Sequence, residues 1–197
     1  MNNSGVASFF EFNNVDWTKM GQATWETVWM TVVSMIAVAI FGIILGLILF
    51  ETQNSNSIGA KIVNWVVAAL VNVFRSIPFI ILIVLLLPAT QALVGTIMGP
   101  RAALPSLIIS AAPFYARLVQ IAFDDLDHGV IEAAKSMGAT RWQIVTKVLI
   151  PESSPALVSG ITVTTISLIG YTAMAGAIGA GGLGNLAYLD LSLIHIS

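Results

Sequence analysis

The sequence predicts an all-α fold, a polytopic bundle of membrane-spanning helices. Three observations predict it. Of 197 residues, 57% are hydrophobic and only 9% charged, against about 25% charged in soluble domains, and mean hydropathy is +0.90. Apolar runs recur at the length of a bilayer crossing. The charges that remain gather in one stretch, about 122–147, which reads as a water-facing loop.

The first 27 residues contain Glu11, Asp16, Lys19 and Glu26 and lack the basic start and short apolar core of a signal peptide. The first apolar segment is therefore expected to be a retained anchor. Val28–Phe50 carries 23 residues without a charge, about 34 Å as a helix, enough to cross the ~30 Å hydrocarbon core. Ile62–Leu87 is 26 residues interrupted only by Arg75, and reads as one helix kinked near Pro78. Ala102–Phe123 is 22 residues, broken by Arg117 near its end. Between Glu152 and Asp190 lie 37 uncharged residues. The run to about Tyr171 reads as a fourth span, and residues 176–184, GAIGAGGLG, hold too much glycine for a plain helix.

Lys and Arg set the orientation. Arg117, Lys135, Arg141 and Lys147 lie in or beside the 122–147 loop, so it should face the cytoplasm, with the N-terminus and the Gly-rich segment outside. Lys19 and Arg101 run mildly against this. The chain is then expected to stop at the outer face without returning. Residues 1–190 read as a single transmembrane domain. The last seven, LSLIHIS, resemble the translated end of a transposon used to prepare sequencing libraries; 191–197 is read as a non-native tail, with a genuine short tail as the alternative.

Within the loop, Asp127 is placed to cap a helix over His128–Met137. Gly138 supplies the left-handed residue that ends it. Thr140 and Gln143 fit a T-x-x-Q capping box for a second helix, and Pro151 kinks that helix or sets its approach to the membrane. Glu132, Ala133 and Ala134 put one carboxylate beside two very small side chains: the small residues let a partner's backbone approach, and the carboxylate can accept a charge-assisted hydrogen bond. The plainer reading is an amphipathic linker on the lipid surface. Asp124, Asp125, Asp127 and Glu132 make a poor surface for anionic lipid.

This stretch closely resembles the EAA motif of ABC-importer permeases: Glu132, Ala133, Ala134, then Gly138, nine residues, and Val148-Leu149-Ile150-Pro151. FRSIPFIIL at 74–82, SAAPFYARLV at 110–119 and GAGGLGNLAY at 179–188 resemble the methionine-type subgroup. The resemblance covers roughly residues 22–188. It implies a type I ABC importer permease-like fold in a bacterial cytoplasmic (inner) membrane, working as a homodimer. It further implies two cytosolic ABC ATPase subunits on the loops and a periplasmic or lipoprotein substrate-binding protein at the outer face. Related permeases carry a fifth helix after the Gly-rich segment, which this sequence is read as lacking through C-terminal truncation.

The remaining features are weighed against plainer roles. Gly179, Gly181, Gly182 and Gly184 match G-x-G-x-x-G, but no acidic residue follows about 20 positions on, as a dinucleotide site requires. They read instead as an irregular backbone or a close helix contact. Arg75 is either a functional or paired intramembrane charge or a snorkelling one; Arg117, nearer the loop, reads as snorkelling. Ser110, Tyr115, Thr165, Tyr171, Thr172 and Met174 are candidates for lining a pathway without a fixed charge, beside the plainer reading of hydroxyls bonded within their own helix, as for Thr162, Thr164 and Ser167.

No catalytic set, metal cluster or P-loop is present in the sequence, cysteine is absent, and no cofactor is expected. A net charge of −2 excludes nucleic acid as a partner class. The reading is thus the permease subunit of an ATP-driven amino-acid importer, with methionine implied by resemblance; hydrolysis belongs to a separate subunit. The alternatives are a permease for another small solute or a secondary transporter driven by an ion gradient, which would need an acidic residue in mid-span.

Overall fold

In the computed structural model of the chain, residues 16–53 and 55–194 are described, with side chains to 189, and every regular element among them is helical. Four helices are long and apolar enough to cross a membrane: α1 (Trp17–Gln53), α2 (Ile58–Ser76), α4 (Pro100–Asp124) and α8 (Ser154–Ala177). A shorter apolar helix, α3 (Phe79–Val94), follows α2. Three short elements, α5 (His128–Ser136), α6 (Arg141–Ile144) and α7 (Ile150–Glu152), form the loop, and α9 (Gly182–Ile194) ends the described chain.

α1 has 37 residues, about 55 Å at ~1.5 Å per residue, so it outruns the bilayer core. Its early start is secured by Asp16, whose carboxylate accepts the N–H groups of Thr18 and Lys19, both at 3.1 Å. The expected single span Ile62–Leu87 is corrected to two helices. Ile77 is extended (φ −85°, ψ 124°) and Pro78 sits outside α3 as its cap. The pyrrolidine disfavours helical backbone at the residue before it and offers no N–H to continue the ladder, so the chain breaks where a kink was expected.

α4 is the axis of the bundle. Most of its length is buried, and α1, α2, α3 and α8 all pack on it. α1 approaches closest, through Gly42-x-x-x-Gly46. A Cβ on Gly46 would lie 2.7 Å from the Val119 side chain and 2.8 Å from the Ala116 carbonyl oxygen, and one on Gly42 would press on Tyr115. Membrane helices gain dispersion contacts by such close approach, with no hydrophobic drive to bring them together. Tyr115 fills the junction. It is fully buried between α1 and α8, and its hydroxyl donates to the Leu157 carbonyl at 3.3 Å.

The Gly-rich segment is part turn and part helix. Gly179, Gly181 and Gly182 take φ of 96°, 80° and 74°, while Gly184 is already inside α9. The expectation that the chain stops without returning is also corrected, because α9 turns back along α8 and α1. Glycine makes the hairpin tight: a Cβ on Gly184 would fall on the Ala173 carbonyl, and one on Gly176 on the Asn185 amide. Residues 191–194, the start of the expected tail, continue the α9 backbone; 195–197 lie outside the described residues.

Candidate coupling loop and translocation surface

The loop closes one end of the bundle, and its local rules are met. Asp127 accepts the Gly129 N–H at 2.8 Å, a cap worth about 1 kcal/mol. Gly138 has φ +82°, and the N–H groups of Gly138 and Ala139 return to the Lys135 and Ala134 carbonyls at 2.9 and 3.1 Å. Thr140 and Gln143 form the reciprocal box, with Gln143 Oε1 2.8 Å from the Thr140 amide.

Beyond it, Val145–Leu149 is a π-helical turn. A proline ring at 151 would press on the carbonyl four residues back in α register and provides no N–H. One widened turn just before it re-spaces the ladder. Ser153 then donates to the Ala122 carbonyl at 3.2 Å, tying the end of the loop to α4.

The two faces of the loop differ. Ile131, Ala134, Ile144, Val145 and Leu149 are buried in the same core as Ala122 and Phe123. Glu132 and Ala133 are exposed, and so are Met137 (82%) and Trp142 (73%). Sequence reasoning missed those last two. Their signal was legible, since a Met and a Trp bracket the Gly-Ala-Thr-Arg stretch at 138–141, where water would favour polar residues. A cleft of about 430 Å³ lies beneath the loop, with Glu51, His128, Lys135 and Arg141 among its walls.

Beside it, the ends of α1, α2 and α4 are joined by side-chain hydrogen bonds. Arg117 donates to Gln120 Oε1 at 2.7 Å, Gln120 donates to Gln53 Oε1 at 2.9 Å, and Gln53 donates to Asp124. Asn64 donates to Thr52 Oγ1 and to the Leu49 carbonyl. Arg117, expected to snorkel, is exposed and anchored by this chain.

The pathway candidates divide. Ser110 and Tyr171 meet in a cleft of about 250 Å³ at the α2–α3 break, lined also by Phe74, Arg75, Ile77, Phe79 and Phe114. Tyr171 stacks on Phe79, with centroids 4.6 Å apart and planes 11° from parallel. Tyr115 is not among them: its ring is fully enclosed in the α1–α4–α8 junction, because the glycines facing it leave a socket of that size. Thr165 and Thr172 donate within α8 to the carbonyls of Ile161 and Ile169. Thr162, Thr164 and Ser167 also bond inside the helix. Met174 is half exposed on α8.

At the opposite end, Gly99 N–H donates to the Gly179 carbonyl at 3.0 Å, and Glu26 accepts the Gly182 N–H at 2.8 Å. Among the described residues no group of three or more His, Asp or Glu could hold a metal ion.

Several known transport proteins are similar to this chain. The methionine import system permease protein MetP of Bacillus subtilis (strain 168) is 63% identical over 91% of this chain and 81% of its own length. The probable D-methionine transport system permease protein MetI of Pasteurella multocida (strain Pm70) is 48% identical over 87% of this chain and 79% of its own. A crystal structure of the MetNI methionine ABC transporter in an inward-facing conformation superposes with a TM-score of 0.84 at 46% identity, over 88% of this chain and 80% of that one. Residues 57–191 match the family described as binding-protein-dependent transport system inner membrane component. The chain, with its membrane-spanning helices and its Gly-punctuated loop, belongs to that family.

Proposed function

We propose that the chain is the permease subunit of an ATP-driven methionine importer, acting as a homodimer with two cytosolic ATPase subunits. A substrate-binding protein would deliver solute at the end opposite the loop, near 88–101 and 176–188. Lys135, Arg141 and Lys147 favour a cytoplasmic loop and hence an outside N-terminus. The relatives named for methionine import and D-methionine transport support the solute, and the likeness to a methionine ABC transporter supports the ATPase partners.

The observation that carries the reading is the two-faced loop. Its outer face offers Glu132, Ala133, Met137 and Trp142 to a partner. Its inner face is fixed to α4 by buried side chains and by the Ser153–Ala122 bond. A rigid-body push on the outer face therefore reaches the membrane helices instead of being absorbed in the loop. ATP-driven closure of the ATPases would bring two such loops together and bias the pathway open to the outside.

Co-purification of the permease with its cognate ATPase, with hydrolysis measured for wild type and Glu132→Lys, tests this. A stable complex that stimulates hydrolysis and is lost in the variant is the expected result. A permease that purifies alone and leaves hydrolysis unchanged would overturn it.

A further inference from the structure

Arg75 occupies the last turn of α2, at the break before α3. The cleft it lines also takes in Ser110, the eleventh of 25 residues in α4 and hence close to mid-depth in the bundle. Among the described residues its guanidinium meets no carboxylate and no hydrogen-bond acceptor. Arg75 is exposed on the described chain, so its guanidinium fork is open to a ligand, and that planar fork is shaped for a carboxylate, which it binds through two parallel hydrogen bonds.

The other walls are equally specific. Ser110 is buried, and its hydroxyl donates to the Leu107 carbonyl at 3.1 Å, so its oxygen lone pairs remain to accept from an ammonium group. Phe79 and Tyr171, stacked face to face, form a flat apolar wall with Phe114 beside it. Aromatic rings accommodate an unbranched apolar chain and favour a thioether sulfur in particular. The volume, about 250 Å³, lies just below the ~300–1,000 Å³ of drug-sized ligand sites. It suits a solute the size of one amino acid.

We propose that this cleft is a solute-binding station within the membrane. It takes a zwitterionic amino acid with an unbranched apolar side chain: the carboxylate on Arg75, the ammonium near Ser110, the side chain along Phe79 and Tyr171. The assignment rests on the importer reading, and adds selection by the permease itself to whatever selection precedes it.

The test uses the purified permease–ATPase complex without binding protein, and radiolabelled L-methionine as the probe. Methioninol, which lacks the carboxylate, serves as competitor. Two variants act on different elements: Arg75→Gln removes the fork, and Ser110→Leu fills the cleft while keeping Arg75. Each is expected to weaken the permease-dependent binding at least tenfold in a complex that still assembles. Methioninol should compete at least tenfold less well than methionine with wild type, and the two should compete alike with Arg75→Gln.

Binding unchanged in both variants would overturn the station and leave the importer reading standing. So would methioninol competing as well as methionine with wild type. An Arg75→Gln chain that fails to assemble would make that arginine a structural residue, and Ser110→Leu alone then decides whether the cleft binds solute. Failure of wild type to form any complex would instead strike the importer reading.

Discussion

The carboxylate of Glu26 in α1 accepts the backbone N–H of Gly182 at 2.8 Å, across 156 residues of sequence. Its neighbour Thr27 accepts the N–H of Leu183 at 2.9 Å. The first turn of α9 is therefore capped by side chains from another helix. Gly182 has φ +74° and Gly181 φ +80°, so the turn itself supplies glycine where a capping Ser or Asp would ordinarily stand.

Removing that acceptor leaves a helix-terminal donor without its partner, a cost of roughly 1–3 kcal/mol. Glu26→Ala should lower the thermal midpoint in detergent and speed limited proteolysis at residues 178–183. Glu26→Gln keeps a carbonyl oxygen in place and should recover most of the loss. Equal stability in all three chains would mean the α8–α9 hairpin holds without the α1 cap.

Gly46 predicts a different kind of failure. Its contacts with Val119 and the Ala116 carbonyl leave no room for a side chain, and two backbones cannot yield as a flexible side chain can. Gly46→Leu should separate α1 from α4 and cost more than the ~1–3 kcal/mol usual for overpacking a core, seen as loss of folded protein in detergent. Gly21 faces open space, so Gly21→Leu should fold normally and serves as the control.

These two sites also mark what the sequence could reveal. The capping residues Asp127, Thr140 and Gln143 and the left-handed Gly138 were legible because each rule operates within four residues. The α2–α3 break was only half legible. Pro78 announces a disturbance, but whether a helix kinks or ends there depends on what packs around it. Pro88, Pro105 and Pro113 all stay inside their helices. Glu26 and Tyr115 were misjudged or passed over because their roles depend on partners far along the chain. G-x-x-x-G at 42–46 is the best single sign in the sequence that α1 lies against another helix.

At Gly138 conformation and contact can be separated. A Cβ there would meet nothing within 4 Å, so any penalty within the chain comes from φ +82° alone, about 1–2 kcal/mol for most L-residues. Gly138→Asn, which tolerates the left-handed region, should leave stability near wild type, and Gly138→Val should lower it. If the turn also meets an ATPase surface, both variants should reduce stimulated hydrolysis, since both add a side chain there. Normal hydrolysis with Gly138→Asn would confine the residue's role to shaping the turn.

The hydroxyls of Thr90 and Ser106 are buried and meet no hydrogen-bond partner. Both line a void of about 10 Å³ between α3, α4 and the Gly-rich turn, close to the room one water occupies. An orphaned buried hydroxyl costs free energy, and an apolar group of the same shape removes that cost. Thr90→Val and Ser106→Ala should therefore leave the thermal midpoint unchanged or raise it, alone and together. A drop equivalent to more than about 1 kcal/mol in either single variant, with little further loss in the double, would show the two hydroxyls acting through a shared water. The void would then be a polar joint between α3 and α4 rather than a packing defect.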